Sequence, residues 1–179
     1  MTGELRYDSI AGLAAAAEKA GEAISALVLR QQARQLEKTE AEVFAQMQNT
    51  YAVMAACIQP GCAEDLRSAS GLSGGDAFKM RRAVEGGKSL TGGVLGGALY
   101  RALAVSELNA AMGRVVAAPT AGSCGILPAA VLTMQQERGC TERDCVMALF
   151  TASAVGMVIT ANASVAGAQG GCQAECGSA

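Results

Sequence analysis

Two long stretches of this chain carry no charge: none lies between Arg114 and Glu137, and none between Asp144 and Glu175. Segments so long and so free of charge must be buried, in a protein core or in a bilayer. Their make-up favours the core. Together they draw on Ala, Gly, Ser, Thr and Asn more than on Leu, Ile and Phe. The first holds Pro119 and Pro128, and the second holds Asn162, Ser164 and Gln169. A buried helix in a soluble domain is therefore expected, and no membrane span. With 179 residues, 51% hydrophobic and 17% charged, the chain is long enough for one domain with a real core and too apolar to be disordered. A net charge of -2 excludes a nucleic-acid partner held through phosphate contacts.

The periodicity predicts an all-α fold. Residues 9 to 35 are Ala-rich, with Leu, Ile and Val at helical spacing. Thr39 and Glu42 form a capping box that opens a helix through Val43, Phe44, Met47, Tyr51 and Met54, with Pro60-Gly61 ending it. Thr141 and Asp144 open another, leading into Val146, Leu149 and Phe150. No segment sustains the alternation that a half-buried strand needs.

Glycine-rich segments lie between these helices: Ser70-Gly71-Leu72-Ser73-Gly74-Gly75-Asp76, Gly86-Gly87-Lys88-Ser89, Thr91-Gly92-Gly93 and Gly96-Gly97. Glycine destabilises helices, so this density needs a reason. Close helix packing explains Gly96-Gly97. For Ser70 to Asp76 two readings stand: packing, or backbone N–H groups and Ser hydroxyls cradling an anion. No P-loop occurs: Gly87-Lys88-Ser89 has its ending, but the residue five before Gly87 is Arg82 and not Gly. A second knot, Pro119-Thr120-Ala121-Gly122-Ser123-Cys124-Gly125, is a capped interhelix turn or a second substrate-facing loop. Asn109, among small apolar residues, needs a hydrogen-bond partner, backbone or ligand, and the ligand is preferred.

The chain has no His, which excludes Ser-His-Asp and Cys-His nucleophile systems and removes the commonest metal ligand. Any metal must use thiolate, carboxylate or water. The seven cysteines are irregularly spaced, and the opening Met-Thr-Gly-Glu-Leu-Arg-Tyr-Asp has no apolar run, so a reducing cytosol is expected, with most thiols acting as small buried hydrophobes. Cys172 and Cys176 share one face if their segment is helical, which leaves two options: part of a metal site, or two buried thiols.

Five blocks in order resemble the iron–sulfur-dependent L-serine dehydratases, specifically the α chain or catalytic domain. They are Ser70-Gly71-Leu72-Ser73-Gly74-Gly75-Asp76-Ala77, Gly87-Lys88-Ser89-Leu90, Asn109-Ala110-Ala111-Met112-Gly113, Ala118-Pro119-Thr120-Ala121-Gly122-Ser123 and Gly170-Gly171-Cys172-Gln173-Ala174-Glu175. The resemblance runs from about residue 20 to the end. It implies a single helical catalytic domain with glycine-rich interhelix loops, of which residues 1–179 are the N-terminal part, its C-terminal part missing.

The resemblance also implies β-elimination and deamination of L-serine to pyruvate and ammonia, in amino-acid catabolism and gluconeogenesis. A [4Fe-4S] cluster, with no pyridoxal phosphate, serves the reaction, and its open iron is a Lewis acid toward the substrate hydroxyl. Cys172 matches the first of three cluster ligands; the other two belong to a segment beyond Ala179, and Cys176 and Cys124 are not counted. The substrate carboxylate is expected at Ser70, Ser73, Gly74 and Gly75, helped by Asn109 and Thr120. Lys88 and Glu175 are candidate bases, alongside a residue further on. A β chain is the implied partner, and the fragment is expected to be inactive alone. The alternatives are a related cluster-dependent lyase acting on L-cysteine, a non-catalytic helical subunit, and a small membrane protein.

Overall fold

The computed structural model describes residues 7–179, and every regular element among them is helical. The opening residues read as lacking a leader fall mostly outside this range. Residues 9 to 35 form two helices, α1 (Ile10–Ala20) and α2 (Ile24–Gln35). The break is at Gly21, left-handed with φ 67°, which caps α1 through bonds to the carbonyls of Ala17 and Glu18. Helix α3 (Glu40–Ala56) starts at the Thr39–Glu42 box. It ends at Ala56, four residues ahead of Pro60, and a single turn, α4 (Ile58–Gly61), contains Pro60-Gly61. Helices α5 (Asp76–Glu85) and α6 (Gly92–Ala110) form a hairpin. After a 3-10 turn at Ala121–Ser123 come α7 (Ile126–Arg138), α8 (Glu142–Asn162), and the short α9 (Gly167–Gly170) and α10 (Cys172–Ser178).

The main core lies where α8 packs on α2 and α3, with α1 and α7 at its flanks. Phe150, Val146, Leu13, Val28 and Val43 are at most 2% exposed. Each such side chain contributes on the order of 1.5–3 kcal/mol by burial. Helix α8 holds most of the second uncharged stretch. It is the one helix among the described residues long and apolar enough to cross a bilayer. One face of it, Cys145, Val146, Leu149, Phe150 and Ala154, is buried in this core. Its start is fixed by the second capping box: Asp144 N–H donates to Thr141 Oγ1 at 3.2 Å, and Thr141 N–H donates to Asp144 Oδ2 at 2.9 Å.

Helix α6 is the axis of the second half and packs against α4, α5 and α7. Glycines bring these neighbours onto its backbone. A Cβ at Gly61 would strike the Ala104 carbonyl, and one at Gly125 would lie 2.5 Å from the Ala102 oxygen. Gly96 and Gly97 are buried on α6 itself, where a Cβ would crowd Val84 and Arg101 respectively. The 19 residues of α6 contain two charges, Arg101 and Glu107, and both are buried. Arg101 is satisfied by neutral acceptors, donating to Gly97 O at 3.0 Å, to Thr133 Oγ1 at 3.2 Å and to Gln136. Glu107 belongs to the site.

Candidate active site

The last turn of α6 gathers segments that are far apart in sequence. Glu107 is 8% exposed, and its carboxylate accepts three backbone N–H groups: Gly75 at 3.1 Å, Asp76 at 2.9 Å and Ala77 at 3.3 Å. These amides open α5, so Glu107 caps that helix from across the hairpin. Three residues on, Ala110 accepts the N–H of Ala69 at 3.0 Å. Between them, Asn109 Nδ2 donates to the Ala121 carbonyl at 3.1 Å. One helical turn thus holds both ends of the Ser68–Gly75 loop and the turn after Thr120.

The Ser68–Gly75 loop is closed on itself. Ser68 N–H donates to Ser73 O at 2.8 Å, Gly71 N–H to Ser68 O at 2.9 Å, and Ser73 N–H to Ser68 Oγ at 3.1 Å. Ser68 Oγ and Ser70 Oγ are 3.2 Å apart. Gly74 has φ 132° and Gly75 has φ 85°, so both adopt conformations that L side chains rarely take. A Cβ at Gly74 would also strike the Leu66 carbonyl. The amides of residues 71, 73, 75, 76 and 77 are therefore bonded within the protein, and the cradle around the α5 N-terminus is filled by Glu107. The hydroxyls of Ser70 and Ser73 lie in exposed residues.

Thr120 belongs to the second knot. It pairs with Ser123, whose hydroxyl donates to Ala118 O at 3.1 Å, so the turn is well capped. Helix α10 packs on this turn. Glu175, half-buried on α10, lodges its carboxylate between two glycines. A Cβ at Gly122 would lie 2.5 Å from Glu175 Oε2, and one at Gly167 would lie 2.7 Å from Oε1. Asn109, Thr120 and Glu175 therefore share one neighbourhood with the Ser68–Gly75 loop. Lys88 does not. It follows α5 and precedes α6, at the far end of the hairpin, roughly 25 Å along α6 from Asn109 at 1.5 Å rise per residue. No hydrogen bond or ion pair ties its side chain to the described residues.

The thiols divide. Cys57, Cys62, Cys124 and Cys145 are buried, and burial pushes each of them up from the ordinary thiol range. Cys172 and Cys176 are exposed on α10. A sequence model described as "Serine dehydratase alpha chain" matches residues 19–179. The chain belongs to the serine dehydratase alpha chain family.

It is 43% identical over 156 residues to the probable L-serine dehydratase, alpha chain, of Bacillus subtilis (strain 168), covering 87% of this chain and 52% of that protein. It is 36% identical over 153 residues to the L-serine dehydratase, alpha chain, of Peptoniphilus asaccharolyticus, covering 86% and 52%. Against the L-serine dehydratase of Streptomyces coelicolor the identity is 36% over 170 residues, 91% of this chain and 36% of that one. The chain spans about half the length of these two α chains.

A [4Fe-4S] cluster asks for several thiolates converging on one point. Among the described residues no three His, Cys, Asp or Glu side chains are grouped to hold a metal ion. Cys172 and Cys176, one turn apart on α10, are at most two thiol donors. These residues alone do not fit a cluster.

Sequence reasoning passed over Glu107 and the two glycines at Glu175. A signal for Glu107 existed: a lone carboxylate in a nearly neutral helix, preceded by a glycine loop in need of a partner.

Proposed function

We propose that this chain forms part of the catalytic region of an L-serine dehydratase, which eliminates water from L-serine and yields pyruvate and ammonia. What supports this reading most is that three of the five blocks resembling that family meet at the last turn of α6, and a fourth, Gly170–Glu175, packs on the Ala121–Ser123 turn that α6 holds. The block outside it, around Lys88, is the exception. In this reading the Ser70 and Ser73 hydroxyls and Asn109 hold the substrate carboxylate, because the amides of residues 75–77 are already bonded to Glu107. Thr120, on the turn that Asn109 holds, helps them.

Glu175 is the base we favour over Lys88. Its carboxylate takes the α-proton, the carbon–hydrogen electron pair forms the new double bond, and the β-hydroxyl departs with the carbon–oxygen pair and a proton from solvent, as water. The 2-aminoacrylate so formed tautomerises to an imine, and water hydrolyses that to pyruvate and ammonia. The two glycines beside Glu175 leave its carboxylate free of side-chain crowding. A [4Fe-4S] cluster, when bound, supplies a Lewis-acidic iron. Cys172 is proposed as one of its ligands, and the others would come from outside these 179 residues. No pyridoxal phosphate is invoked. A β chain is the proposed partner, and the cytosol the proposed location.

The test is the anaerobically prepared enzyme that contains this chain, assayed for iron and for pyruvate release from L-serine. A brown protein active on serine is expected, with Cys172→Ser losing iron and activity together. Serine turnover by a colourless, iron-free protein would defeat the cluster assignment. Faster release of pyruvate and sulfide from L-cysteine would favour the desulfidase alternative. Iron and activity unchanged in the Cys172→Ser protein would remove Cys172 from the ligand set.

A further inference from the structure

We propose that Glu107 is a positioning residue for serine binding: its buried carboxylate sets the Ser68–Gly75 loop against the turn after Thr120. The inference rests on the serine dehydratase reading for its substrate, and on geometry for the clamp itself. A buried carboxylate needs compensation. Glu107 finds it in three amide N–H groups at 2.9–3.3 Å, and no basic side chain forms an ion pair with it among the described residues. Those amides belong to the exit of the loop, while its entry is pinned to Ala110 by Ala69 N–H. The positive φ of Gly74 and Gly75, with Gly74 pressed on the Leu66 carbonyl, gives the exit one path.

Glu107 and Ala110 flank Asn109, which is bonded to Ala121. The spacing between the serine hydroxyls and the Gly122 turn, on which Glu175 rests, is thus carried by a single turn of α6. A substrate carboxylate could reach the α5 amides only by displacing Glu107, so the clamp also directs the substrate to side chains. It makes Glu107 a determinant of substrate affinity without contact with the substrate.

The experiment has two arms. In this chain, amide hydrogen exchange is compared for wild type, Glu107→Ala and Glu107→Gln. Exchange at Ala69 and at residues 75–77 is expected to accelerate about tenfold or more in Glu107→Ala, given bonds to a charged acceptor. Glu107→Gln, which keeps one acceptor, falls between, and α8 is unchanged. Unchanged loop exchange in both variants overturns the clamp, and so does loss of helicity throughout in both, which would make Glu107 a general folding residue.

In the active enzyme, Glu107→Ala is expected to raise KM for L-serine about tenfold with little change in kcat, and Glu107→Gln to restore part of it. A loss confined to kcat overturns the positioning role. If the wild-type enzyme does not turn over serine, the serine reading fails, while the exchange arm still decides the clamp.

Discussion

The two ends of the α5–α6 hairpin are both rich in glycine, and they are built differently. At the Glu107 end, residues 74 and 75 sit at positive φ, Gly74 against the Leu66 carbonyl, and the amides of residues 75–77 are bonded to Glu107. At the Lys88 end, Gly87, Gly92 and Gly93 have nothing within 4 Å of where a Cβ would go. Leu90 is fully exposed there. Gly74 is demanded by a backbone contact; Gly87 and Gly92 serve local backbone conformation at positive φ, and the close packing near the Lys88 end is confined to Gly96 against the Val84 side chain. Density of glycine therefore does not mark a site. A buried polar partner does.

Substitutions can break this contrast. The largest effect is expected for Gly74→Ala, where strained φ adds to a backbone clash: about 3 kcal/mol of stability or more, read from urea unfolding. Glu107→Ala is expected to cost about 2 kcal/mol, because three amides lose a charged acceptor. Gly87→Ala has the left-handed strain without the clash, and about 1 kcal/mol is expected. Lys88→Ala should stay within roughly 0.5 kcal/mol. Equal losses at Gly74 and Gly87, or a Lys88 effect matching that of Glu107, would erase the distinction.

Much of the fold was legible because its signals are local. The Thr39–Glu42 and Thr141–Asp144 boxes name their own helix starts, and the uncharged stretch after Asp144 names the core helix. The division of residues 9 to 35 at Gly21 is also local, although a continuous run of Ala masks it. The site was legible in its parts and not in its assembly. Ser70, Asn109, Thr120 and Glu175 stand out as candidates, yet it takes the α6 turn to join the first three segments and the Gly122 turn to seat Glu175. Glu107 was missed because its partners lie 30 to 32 residues upstream and are backbone amides, which no side-chain pattern reveals. Lys88 stood out as a candidate base from the Gly87-Lys88-Ser89-Leu90 block, and no sequence pattern tells that this block lies at the far end of the hairpin.

The central claim is that substrate is handled at the Glu107 end of the hairpin. Hydrogen exchange of the active enzyme with and without L-serine tests it most directly. Protection is predicted within residues 68–77, 109–123 and 172–175, with residues 86–97 unaffected. Protection centred on residues 86–97, with the Glu107 end unchanged, would contradict the account.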